Sequence, residues 1–239
     1  MKRLTLCLFV TLQLVGCSPR HDTAGDPRRA VNRTGNAVLG EREEENIVLL
    51  AVDASPSFQK RIADGSSQFA MRVVEKFFRD RAGSQDKLVI ARLSGDGERA
   101  LVWEGTPLQL RKQHPTPESF REFLMGKADS KEAQIHKGLR HAIQYVLSDP
   151  RIANAQAKVA VIVLSSMIDG TEADLDNREA GYLRHELNQI GWRGGAVGFY
   201  GVDQSRLLYW RRELADLGVK NFRVESEILG DPPIPSFDE

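Results

Sequence analysis

Two uninterrupted apolar runs constrain the fold of this chain more than any other feature. Ile47–Val52 reads IVLLAV and Val159–Leu164 reads VAVIVL, each six residues with no polar side chain on either face. A strand with one wet face alternates apolar and polar residues; a run apolar at every position belongs to a strand covered on both faces. Strands of that kind sit in the middle of parallel sheets with helices packed above and below.

The segments around the two runs agree with this. Phe58 to Arg81 carries Ile62, Phe69, Val73 and Phe77 at helical spacing, and Lys87 to Leu93 is a further strand. Gly95-Asp96-Gly97 reads as a hairpin turn into Arg99–Trp103, which predicts an antiparallel edge strand. Pro115 to Met125, Glu132 to Leu147, Ala173 to Ile190 and Ser205 to Leu217 read as helices, with strands at Ala196–Val202 and Phe222–Val224. The alternation predicts an α/β domain over residues 46–229. It is a doubly wound, mostly parallel sheet with one antiparallel edge strand and helices on both faces, in three layers. Trp192, Trp210 and Tyr209 are expected to serve as core or rim packing.

The ends have a different character. Lys2 and Arg3 precede the apolar stretch Leu4 to Val15, a length suited to export and too short for a permanent span. It closes on Leu14-Val15-Gly16-Cys17, which resembles the lipobox of bacterial lipoprotein precursors. The resemblance implies cleavage after residue 16 and acylation of the Cys17 thiol, with Ser18 favouring the outer membrane. Residues 17–45 are polar and turn-rich and read as a lipidated, flexible tether; residues 230–239, GDPPIPSFDE, read as an extended proline-rich tail.

Loss of the signal would leave 223 residues and remove Cys7, so the mature chain could form no internal disulfide and would depend on its core. Basic and acidic residues number 33 each, and 31 against 33 once Lys2 and Arg3 are gone. That balance offers nothing for nucleic acid. No later apolar run reaches membrane-spanning length, so the expected membrane contact is the lipid alone.

In an open α/β sheet, ligands gather at the carboxyl ends of the strands. The first run leads directly into Asp53-Ala54-Ser55-Pro56-Ser57. An Asp-x-Ser-x-Ser turn behind an apolar opening strand resembles the first motif of the von Willebrand factor A-like domain. There it belongs to a metal-ion-dependent adhesion site. The resemblance covers about residues 46–228 and includes Gly198-Phe199-Tyr200-Gly201-Val202 with Trp210 and Gly218. It implies a site built from Asp53, Ser55, Ser57 and Ser166, with Mg²⁺ as the cation such oxygens would take.

Two positions depart from the family pattern. The slot where a threonine is expected falls on Ala133, and Ser166 stands where an aspartate is expected, in the pair Ser165-Ser166. Asp129, Ser130, Glu132 and Asp169 lie in the adjoining loops. One matched carboxylate makes weak divalent binding the expectation, and Asp53 would serve equally to cap the following turn.

No Gly-x-Ser-x-Gly elbow, phosphate-cradling loop or cysteine pair is present, and His136 and His141 are five apart rather than four. These readings imply a non-enzymatic, lipid-anchored protein of the cell envelope, facing the periplasm from the outer membrane and binding other envelope proteins. It would act as a metal-free scaffold or through Mg²⁺-assisted adhesion. A hydrolase on the same fold is a third reading.

Overall fold

The computed structural model describes residues 45–61, 65, 67–78, 86–93, 99–126, 134–168, 178–228 and 232–235. The expected signal, Cys17 and the tether up to residue 44 lie outside them. So do the turn at residues 95–97, Asp129, Ser130, Glu132, Ala133 and Asp169.

The strands are β1 (Glu45–Asp53), β2 (Lys87–Leu93), β3 (Leu101–Gly105), β4 (Ala157–Leu164), β5 (Ala196–Tyr200) and β6 (Asn221–Glu225). The helices are α1 (Pro56–Arg61), α2 (Ser67–Phe78), α3 (Pro107–Gln113), α4 (Pro117–Met125), α5 (Ile135–Leu147), α6 (Pro150–Ala153), α7 (Arg178–Trp192) and α8 (Gln204–Asp216). The strands form one sheet in the order β3-β2-β1-β4-β5-β6. Every pairing is parallel except β2 with β3, so β3 is the antiparallel edge strand.

The two apolar runs are the neighbouring central strands β1 and β4. Period-2 geometry sends their side chains alternately into two cores. Ile47, Leu49 and Ala51 of β1 join Val159, Val161 and Val163 of β4 on the face covered by α5 to α8. Val48, Leu50 and Val52 join Ala160, Ile162 and Leu164 on the face covered by α1 to α4. Two cores on one sheet make the three layers.

Three of the stretches that differ from the sequence reading bear on packing. The single helix expected over Phe58–Arg81 is two, α1 and α2. Gly65 between them has φ +128°, a backbone conformation that L side chains rarely adopt. Helix α3 was not expected; Thr106 and Gln109 close its first turn in a reciprocal capping box with Pro107 at the first helical position.

The third is the proline-rich tail. Its residues 232–235 form neither helix nor strand, and they pack on the domain. Ile234 is buried in the core on the α2 side, and its carbonyl oxygen accepts from Lys76 Nζ at 2.6 Å. The Tyr200 hydroxyl donates to the Pro233 carbonyl oxygen at 2.6 Å. Gly198 makes room for that tyrosine: a Cβ there would come within 2.6 Å of Tyr200 Cε2.

Candidate functional site

The chain leaves β1 toward β2 on one side and leaves β4 toward β5 on the other. The carboxyl ends of β1 and β4 therefore flank the point where the winding reverses, which is where a doubly wound sheet opens a crevice. Val52 pairs with Leu164 across this seam, so the next residues, Asp53 and Ser165, meet just beyond it.

Asp53 is 2 % exposed and Ser165 fully buried. The Ser165 hydroxyl donates to Asp53 Oδ2 at 3.0 Å, and Asp53 Oδ1 accepts the Ser55 backbone N–H at 2.9 Å. The second bond closes an Asx-turn, which aims the chain into α1. Ser55 and Ser57 place their hydroxyl oxygens 3.0 Å apart, with Ser55 buried and Ser57 exposed. Ser165 Oγ in turn accepts the Met167 backbone N–H at 3.0 Å. Met167 is buried with φ +57°, a left-handed conformation that costs an L-residue about 1–2 kcal/mol and is held here by the packing around it.

Of the four residues expected to form a site, Asp53, Ser55 and Ser57 come together as the spacing requires. Ser166 is half-buried one residue further on, and its carbonyl oxygen accepts the Asp203 N–H at 2.9 Å. The serine hydroxyl given to Asp53 is that of Ser165. Only the register of β1 on β4 reveals this partner, and register is not written in either run.

Asp203 repeats the local device on the neighbouring loop. Its Oδ1 accepts the Ser205 N–H at 2.9 Å and caps α8. The rim of the crevice thus carries two Asp-x-Ser turns, one buried and one exposed, with Ser57 and Ile168 reaching solvent beside the first.

As a metal centre the donor set is thin. The described residues bring one carboxylate to this point, and that carboxylate accepts hydrogen bonds on both oxygens. Among the described residues no three His, Cys, Asp or Glu side chains gather into a metal-binding group. Affinity of oxygen sites for divalent cations rises with ligand charge, so these residues do not fit a tightly held Mg²⁺.

Of the histidines and aromatic residues weighed in the sequence, His136 is buried edge-on to Trp210, ring centroids 6.0 Å apart, and His141 is half-buried beside Arg140. Trp210 is core and Tyr209 packs against it. Trp192 departs from the expected packing role: it is 81 % exposed at the end of α7. No helix among the described residues is long and apolar enough to cross a membrane.

No protein-family model matches the chain, and no curated protein does. Solved structures do resemble it. The pilus adhesin SpaC from Lactobacillus rhamnosus GG, in its open conformation, superposes with a TM-score of 0.51 at 12 % identity, over 80 % of this chain and 28 % of the adhesin. Human COPII-coat protein Sec24c aligns at TM-score 0.47 and 9 % identity, over 76 % of this chain and 29 % of that one. Proximal thread matrix protein 1 from the mussel byssus aligns at 0.45 and 15 %, over 77 % and 44 %. The chain spans less than half the length of each. The likeness to the adhesin is one of fold: a three-layer α/β domain.

Proposed function

We propose that this chain is a lipid-anchored protein of the cell envelope, and that its von Willebrand factor A-like domain binds a partner protein through the loops at the carboxyl ends of β1, β4 and β5. The strand order, the antiparallel β3, the Asp53-x-Ser55-x-Ser57 turn and the fold shared with a pilus adhesin support the domain assignment. The Leu14-Val15-Gly16-Cys17 terminus supports the anchor and an outer-membrane location facing the periplasm.

The observation that carries the binding reading is the hydrogen-bonded Asp53. Its carboxylate ties the turn after β1 to the turn after β4, which fixes the shape of the rim while Ser57 and Ile168 stay accessible on it. A rigid sheet presenting shaped loops is a recognition platform. The same burial argues against a hydrolase, because Ser165, the serine bonded to the acid, is closed to any substrate.

A second reading, Mg²⁺-assisted adhesion, draws on one distance. The 3.0 Å between Ser55 and Ser57 oxygens equals the edge of an octahedron with metal–oxygen distances of about 2.1 Å.

The test is made in the native host. Fractionation should place the chain with the outer membrane and Cys17→Ala in the soluble fraction. A photo-crosslinking residue at Ser57 or Ile168 should give one discrete adduct, while the same residue at Tyr182 on α7 gives none. Equal labelling at both positions, or none at the rim, removes the binding reading.

A further inference from the structure

The pole of the domain opposite the crevice carries a feature that the rim-binding reading does not use. The amino end of β4 and the carboxyl end of α7 enclose a hollow of about 400 Å³, lined by Ile152, Ala155, Ala157, Lys158, Trp192 and Arg193 with Gln156. Trp192 stands over it almost fully in solvent, although tryptophan is among the side chains most buried on average. Arg193 is held across the hollow by an NH1 bond of 2.9 Å to the Ile152 carbonyl oxygen. The lining carries two basic side chains, Lys158 and Arg193, and the acidic Glu45 at the same pole is paired with Arg151 at 2.9 Å.

This hollow also marks where the chain enters the domain. Ala157 is the register partner of Glu45, the first residue of β1, so the segment before Glu45 departs at this pole. Twenty-seven residues, 18–44, separate Glu45 from Cys17. Fully extended they reach about 90 Å, and a coil of that length far less. An acylated Cys17 would therefore keep the domain within reach of the bilayer, joined to it from this pole.

We propose that the Trp192 pole docks on the membrane surface, with the Trp192 indole at the level of the lipid headgroups and Lys158 and Arg193 toward anionic phosphates. The indole, apolar in its ring and polar at its N–H, favours that interface, and basic side chains beside it add electrostatic attraction. Docking would turn the opposite pole, with the Asp53 rim, away from the bilayer and toward partners. The proposal rests on the lipid-anchor reading.

The experiment uses the chain purified from membranes and reconstituted in phosphatidylglycerol–phosphatidylethanolamine vesicles whose acyl chains carry bromine, a contact quencher of indole. Of the three tryptophans, Trp210 is core and Trp103 is half-buried on β3, so quenching reports Trp192. The expected result is loss of the Trp192 share of the emission, with no such loss in Trp192→Phe. Mass spectrometry of the same sample reads the acyl group on Cys17. Acylated protein with unquenched emission overturns the docking and leaves the anchor standing; absence of acyl mass overturns both. Shielding of Trp192 from aqueous acrylamide without quenching by bromine also overturns the proposal, since it means that the chain itself or a second copy covers the hollow.

Discussion

Asp53 and Ser165, 112 positions apart, meet through a hydrogen bond of 3.0 Å that joins the carboxyl ends of the two central strands. Ser165 both donates to Asp53 and accepts from the Met167 amide, so it is the hinge of a buried network. Ser165→Ala removes the donor and leaves the Met167 N–H buried without its acceptor. The expected cost is about 1–3 kcal/mol in urea unfolding. The double change Asp53→Asn with Ser165→Ala should cost less than the two single losses added together, because the residues share one bond. Strict additivity would show that the bond contributes nothing to stability.

Mg²⁺ or Mn²⁺ at millimolar concentration should move the melting temperature little, since a ligand stabilises the fold only in proportion to its binding. Ser166→Asp together with Ala133→Thr restores the charge and oxygen that the family pattern expects, and should make a shift appear. A clear shift in the unaltered protein that is lost in Asp53→Asn would favour metal-assisted adhesion over the metal-free scaffold.

The layers of this domain were legible because β1 and β4 are written as apolar runs that suit a strand covered on both faces. Asp53, Ser55 and Ser57 were legible because one turn holds them all. Ser165 was not, because the identity of its partner depends on how β4 slides against β1. Helix α3 is signalled in the sequence only by Thr106-Pro107 with Gln109, because Leu108 and Leu110 alone make too short an apolar stripe. The break at Gly65 was hidden by a periodicity that resumes in phase at Phe69.

The tail supplies the next test. Ile234 is buried against α2, and Tyr200 and Lys76 both donate to carbonyl oxygens of residues 233 and 234. Ending the chain at residue 231 should destabilise it by about 2–3 kcal/mol from the exposed Ile234 site alone. Tyr200→Phe, which keeps the ring tilted against Phe69 and loses only the hydroxyl bond, should cost about 1 kcal/mol. A truncated chain as stable as the full one would mean that the tail adds nothing to the core.

The amino pole carries its own electrostatic clamp, and its pH dependence is specific. Asp149 caps α6 and accepts from the Arg151 backbone N–H, Nε and NH2, each at 3.0 Å. Arg151 also reaches Glu45 at 2.9 Å, tying the approach to β4 to the start of β1. The hydrogen bonds from the Arg151 side chain, with its backbone N–H and the nearby Lys87, hold the Asp149 carboxyl down at about 2 against an ordinary 3.8. A depressed carboxylate stabilises the folded state above its unfolded pKa, and that stability disappears as pH falls through the folded value. The side chain is 11 % exposed, so a shift of this size corresponds to about 2 kcal/mol, present above roughly pH 4 and gone near pH 2. Asp149→Asn keeps a good helix cap and removes only the charge. Its deficit against the unaltered protein should be full at pH 7 and should close between pH 4 and 2 in denaturant titrations. A deficit that stays constant across that window would show that the pairing with Arg151 does not hold the Asp149 carboxyl below the ordinary carboxylate range.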